Sequence, residues 1–162
     1  MDAPLSATVA TGQTTVNAAF LKDIKDDSVH LKRLFEKLDE LTFHRQAAIN
    51  HLAEVNDLVD DLLDQMAMHF SLEEAYGYFD NALEVAPRLN QEADRLRDEH
   101  AGLYQTLVDL DVRLHDIAPE RSPEIDNWLS DYRRFCVEFR RHEEDEVRMV
   151  VGALDTDLGV GD

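Results

Sequence analysis

A single cysteine, Cys136, stands in 162 residues, so neither an intrachain disulfide nor a thiolate metal cluster can form. Prolines number four and glycines six, and most lie outside the periodic stretches, which favours long uninterrupted helices. Basic residues are scarce as well: 16 Lys and Arg face 35 Asp and Glu, a formal net charge of −19. Such a surface repels phosphate backbones and anionic membranes, so nucleic acid and membrane are not expected partners. Acid-rich solvent faces commonly serve solubility. No stretch approaches the roughly 18–20 apolar residues of a membrane span. Residues 1–20 hold no Lys or Arg and no sustained apolar run, so a signal or transit peptide is not expected and a cytoplasmic protein is the default.

What the chain does have is helical period. Apolar content is 44%, ordinary for a soluble domain, and the length suits one core better than two. Apolar residues recur alternately three and four apart along four segments. The first is Phe20, Ile24, Asp27, Leu31, Leu34, Leu38 and Leu41, with His30 beside the stripe. The second runs Leu52, Val55, Val59, Leu62, Met66, His69, Glu73, Tyr76. The third is Leu89, Ala93, Leu96, His100, Leu103, Leu107, Leu110, Leu114, and the fourth Ile125, Trp128, Tyr132, Phe135, Phe139, His142, Glu146, Met149. Four long one-sided stripes predict an all-α, antiparallel up-down four-helix bundle. It is expected over residues 16–155, with 1–15 a flexible N-terminal segment and 156–162 a tail. Pro87 suits the first turn of the third helix, and Ser122-Pro123-Glu124 reads as N-cap, first helical proline and dipole-compensating acid, with Pro119 in the loop before it.

The polar residues that interrupt these stripes are of few types. The second and fourth segments carry His-x-x-x-Glu, as His69-Phe-Ser-Leu-Glu73 and His142-Glu-Glu-Asp-Glu146. Residues four apart share a helix face, so each pair points an imidazole and a carboxylate into one small volume. The third segment adds His100 and the first His30. Burying such groups without a partner costs several kcal/mol. A metal removes that cost, because imidazole and carboxylate suit iron, manganese or zinc. Spacing supports one layer: residues at equal height in an antiparallel pair are equidistant from the joining turn. The midpoint of 100 and 142 is 121, inside the Pro119–Pro123 loop, and that of 69 and 100 falls just before Pro87. For 30 and 69 the midpoint predicts a turn within Arg45–Asn50, where no Gly or Pro marks one.

The order His, His-x-x-x-Glu, His, His-x-x-x-Glu resembles the hemerythrin-like, or HHE cation-binding, family. Its local context is Asp27-Ser-Val-His30-Leu-Lys-Arg-Leu-Phe, His69-Phe-Ser-Leu-Glu73-Glu74, Glu99-His100-Ala-Gly-Leu and Arg141-His142 through Glu146. The resemblance covers about residues 20–155. It implies an up-down bundle around two irons bridged by an oxygen species (oxo or hydroxo) and by carboxylates. Glu73 and Glu146 would bridge, and His30, His69, His100 and His142 would be terminal ligands. Oxygen-carrying members have a His-x-x-x-His pair on the third helix, and here its second position is Tyr104. That tyrosine is either a hydrogen-bonded core residue or a phenolate ligand.

The resemblance implies binding or sensing of a small diatomic ligand (O2 or NO) or a peroxide. The Tyr104 departure makes a peroxide-consuming or ferrous-oxidising enzyme the alternative. Iron handling by repair of iron centres is associated in related proteins with a cysteine-bearing N-terminal domain, which these residues do not include. A metal-free interaction bundle would instead pair the histidines with the glutamates. Elsewhere, His44 and His51 suit solvated or capping roles, His115 suits a helix C-terminus, and Cys136 suits packing. Glu74, Glu99, Glu143 and Asp145 flank the ligands, where outer-partner and solvent roles both fit. The Glu-x-x-His units of ferritin-type sites are absent.

Overall fold

The computed structural model describes the backbone of residues 11–75, 87–118 and 122–158, and the side chains of 26–74, 88–118 and 123–152. Every element in these ranges is helical: α1 (Thr11–Thr42), α2 (Arg45–Asn50), α3 (Leu52–Ala75), α4 (Asn90–His115) and α5 (Ser122–Leu158), with a 3-10 turn at Pro87–Leu89 before α4. The long helices pack α1 on α3, α3 on α4 and α4 on α5. Phe35 of α1 stacks against Phe135 and Phe139 of α5, at centroid distances of 6.4 and 5.3 Å, and closes the ring. The expected antiparallel bundle is therefore the fold.

The core is built from the four stripes. Leu38, Val55, Leu62, Met66, Leu96, Leu107, Leu110, Leu114, Trp128, Tyr132 and Phe135 are buried, and burying a large apolar side chain contributes about 1.5–3 kcal/mol each. Trp128 stacks on Tyr132 at 5.2 Å, and its indole N–H donates to the Leu110 carbonyl at 2.8 Å, so its one polar atom is satisfied. Cys136 is buried in the same core. Burial pushes its thiol up to about 11, consistent with packing rather than thiolate chemistry.

The turn expected within Arg45–Asn50 is itself the short helix α2, entered through bends at Phe43 and His44 and left at His51. His51 links the two pieces: its amide bonds to the Ala47 carbonyl and its carbonyl accepts from Val55. Helix α1 begins at Thr11, inside the segment read from the sequence as flexible. Helix α5 opens with the Ser122-Pro123-Glu124 signal. The other two expected turns, just before Pro87 and about residue 121, fall outside the described residues. No described helix is long and apolar enough to cross a membrane.

Candidate metal centre

Near the C-terminal end of α3, His69 and Glu73 turn inward, and α4 brings His100 and α5 His142 and Glu146 to the same level. All five are buried, with 2–6% of their surface exposed. Below them lies an aromatic floor. Phe70 stacks on the His100 ring at 4.2 Å, and Phe139 meets the edge of His69 at 6.0 Å. These rings separate the charged layer from the leucine core and keep water away from its lower side.

The three histidines share one orientation. Nδ1 of His69 lies 2.7 Å from Asp27, Nδ1 of His100 3.1 Å from Glu74, and Nδ1 of His142 3.0 Å from Glu99. Each Nε2 faces the middle. That of His69 is 3.2 Å from Glu73 and 2.9 Å from Glu143. That of His100 is 3.4 Å from both Glu73 and Glu146, and that of His142 is 3.1 Å from Glu146. Outer carboxylates on Nδ1 fix the ring and the tautomer that turns Nε2 inward. The ligating atoms gather into two groups, Glu73–His100–His142–Glu146 and His69–Glu73–Glu143. Glu73 belongs to both: its Oε1 faces His69 and its Oε2 faces His100. Glu73 Oε2 and His142 Nε2 are buried and make no hydrogen bond. Buried polar atoms left without a hydrogen bond are costly, and a cation between them would satisfy both. The donor set, imidazole nitrogen with carboxylate oxygen, fits a metal of the iron, manganese or zinc type.

Electrostatics points the same way. Burial acts to lower the His69 pKa, yet hydrogen bonds to Asp27 and Glu143 and the charge of Glu73 carry it up to about 11. Burial raises Glu73 against the pull of His69, and the charges of Glu146 and Glu143 push it further, up to about 9. For Glu146 burial is overcome by the neighbouring His100 and His142, which hold it well below the usual carboxylate range. His142 is raised against burial by Glu146 and Glu99. Without a cation the layer therefore holds its repulsion down by keeping protons, and any cation that enters must displace them.

His30, expected as a ligand, and Tyr104, read as either a core residue or a ligand, both lie outside the site. His30 is exposed and belongs to neither group. The buried place on α1 is taken by Asp27, 7% exposed, whose other oxygen accepts from Gln65 Nε2 at 2.5 Å. At about 100° per residue, Asp27 lies at the centre of the Leu31, Leu34 and Leu38 stripe and His30 about 60° to one side. Tyr104 is 36% exposed and likewise outside both groups. The buried leucines of α4 centre about 50° to one side of His100, and Tyr104 lies about 40° to the other. Asp27 and Glu143 are the residues that sequence reasoning passed over as members of the site. For Asp27 the signal was its place as the one acid on the α1 stripe; Glu143 had been read as flanking the ligands in an outer-partner or solvent role, and its contact with His69 spans 74 positions.

A cavity of about 120 Å3 reaches this layer, lined by Asp27, Ser28, His69, Leu72, Glu73, Glu143, Glu146 and Val147. A wider surface groove of about 480 Å3, lined by Glu99, Gly102, Leu103, Thr106, Glu138, Arg141 and His142, approaches from the α4–α5 side. The remaining histidines are on the surface. His44 lies edge-on to Phe43 and His51 is 3.6 Å from Glu54. His115 bonds to the Asp111 carbonyl at the end of α4. Asp145 is engaged by Arg95 and Arg148.

The family model described as Hemerythrin HHE cation binding domain matches residues 19–154. Neither a curated protein nor a solved structure matches the chain.

Proposed function

Because the chain belongs to the hemerythrin HHE cation-binding family, we propose that it is a non-haem di-iron protein that binds or senses O2, NO or a peroxide in the bundle core. The observation that carries this reading is the shared orientation of His69, His100 and His142, each with Nδ1 on an outer carboxylate and Nε2 turned to the middle. A histidine buried only for packing needs one partner; a ligand needs one to orient it and leaves its other nitrogen for the metal. Glu73, with one oxygen towards each group, supports two ions rather than one.

Iron held there would supply redox chemistry and a coordination position for a small molecule. The chain's own residues do the rest. Phe70 and Phe139 exclude water from below, Asp27, Glu74 and Glu99 hold the rings, and Glu73 and Glu146 supply the negative charge that favours a cation. The cavity beside His69, about 120 Å3, is well under the 300–1,000 Å3 of pockets for organic ligands and suits a molecule of a few atoms. The peroxide-consuming alternative drew its motive from Tyr104, and the exposed position of that side chain lends it no support. Manganese or zinc suit the same donors. The acid-rich sequence argues against nucleic-acid and membrane partners, and a cytoplasmic location is proposed with this reading.

The test is anaerobic loading with ferrous iron followed by metal analysis and admission of air or NO. Expected are two irons per chain and an absorption change on adding the gas. Iron uptake far below one per chain would end the proposal. Full loading with no spectral response to O2, NO or peroxide would leave a cation-binding protein and remove the gas or peroxide role.

A further inference from the structure

We infer that the second metal position is a carboxylate-rich half-site in which Glu143 is a ligand beside His69 and Glu73, with Asp27 as the positioning residue from α1 and His30 taking no part. This rests on the two-metal reading above and specifies how its two positions differ.

The starting point is His69 Nε2. It faces two carboxylate oxygens, Glu143 Oε1 at 2.9 Å and Glu73 Oε1 at 3.2 Å. The single Nε2–H is bonded to Glu143, which leaves the Glu73 oxygen at 3.2 Å without a full share of it. A cation placed among the three satisfies the nitrogen and both oxygens together. Helix α1 contributes Asp27, which is spoken for: Oδ2 is on His69 Nδ1 at 2.7 Å and Oδ1 on Gln65 at 2.5 Å. It therefore aims the ring rather than binding the ion. His30, exposed on the flank of α1, is outside both ligand groups.

The two positions then differ in kind. The first takes His100, His142, Glu146 and Glu73, all buried. The second takes one imidazole and two carboxylates, one of them on Glu143, whose side chain is 36% exposed. It is also the position flanked by the cavity that Asp27, His69, Glu73 and Glu143 line. Fewer nitrogen donors and a partly exposed ligand make it the weaker ion and the faster to exchange.

Anaerobic ferrous titration of the full chain, with iron counted per folded chain, tests this. The wild type is expected to bind two ions with distinct affinities. Glu143→Gln, isosteric and partly exposed, should weaken the second by at least the roughly 10-fold that loss of an outer partner typically costs, while leaving the first within about 2-fold. Asp27→Ala should weaken the second ion similarly, and Asp27→Asn, which still accepts from Nδ1–H, should restore part of the loss at unchanged thermal stability. His30→Ala should behave as wild type. Two ions bound as tightly in Glu143→Gln as in wild type would overturn this inference and leave the di-iron reading standing, as would loss of an ion in His30→Ala. A wild type that binds no iron would end both.

Discussion

Where α4 gives way to α5, Trp128, Tyr132, Leu110, Leu114 and Ile125 fill the bundle with large, mostly apolar side chains, and the Trp128 indole N–H bonds to the Leu110 carbonyl. At the other end His69, Glu73, His100, His142 and Glu146 occupy equivalent inward positions, their nitrogens and oxygens facing one another at 3.1–3.4 Å with Glu73 Oε2 and His142 Nε2 left without a hydrogen bond. The first end is held by a force that is roughly proportional to apolar area and indifferent to direction. Many combinations of large side chains would satisfy it. The second gains nothing from area and depends on direction, because each imidazole must turn one nitrogen outward and the other in. One end of the fold supplies stability, and the other spends some of it to hold charge where a cation can use it.

Breaking the apolar end should cost the most. Trp128→Ala removes a buried ring and its hydrogen bond, and should lower stability by about 3–5 kcal/mol in urea unfolding while the folded fraction still binds its metal in full. Loss of metal from chains that remain folded would show that the two ends are coupled. Glu73→Gln should do the reverse. At neutral pH the metal-free protein already keeps Glu73 protonated, since its pKa is pushed up to about 9, so an amide of the same shape should change metal-free stability by less than about 1.5 kcal/mol. Metal binding should fall by more than the roughly 10–100-fold typical of outer partners, because Glu73 serves both groups.

A pH series sharpens the contrast. His69 is raised from 6.5 to about 11 and Glu73 from 4.5 to about 9. The stability each contributes is complete below its unfolded value and is lost as pH rises towards the folded one. Between pH 6.5 and 9 both contributions therefore decline. Glu146, lowered from 4.5, contributes above 4.5 and loses that contribution as pH falls. Urea midpoints of the chelated protein should drop from pH 6.5 to 9, whereas the iron-loaded protein should hold or gain, because binding requires deprotonated ligands. Parallel curves would mean that the metal does not use these groups. The smallest effect is expected at Gly102, exposed on α4, where an added methyl would meet nothing within 4 Å. Gly102→Ala should stabilise by about 0.4–1 kcal/mol through the unfolded chain, seen as a higher urea midpoint with unchanged metal content.

Most of the fold was legible because a bundle core repeats its signal. Leu31, Leu34 and Leu38, or Leu103, Leu107 and Leu110, state the same helical period several times over. His69 with Glu73 and His142 with Glu146 were legible for the same reason, since their spacing and their place on a stripe agree. His30 and Asp27 show where that ends. Both lie near the inner face of α1, and chemistry favoured the histidine while helical angle favoured the aspartate; the packing against α3 chose the angle. Tyr104 was singled out because it holds the second place of the His-x-x-x-His pair of the family's oxygen carriers, which takes no account of the side of His100 on which the α4 leucines are centred. Glu74, Glu99 and Glu143 reach across to histidines 26, 43 and 74 positions away, and no local pattern encodes such a distance.

By itself, then, the sequence determined four amphipathic helices, the height at which the polar layer sits and the buried His-x-x-x-Glu pairs, because all three follow from periodicity and from the penalty on unpartnered buried charge. Only the tertiary structure decided which carboxylate orients which ring, that α1 offers Asp27 rather than His30, and that Glu143 stands beside His69. Those depend on side chains from different helices meeting within about 3 Å, a distance set by how the helices rotate about their own axes when they pack.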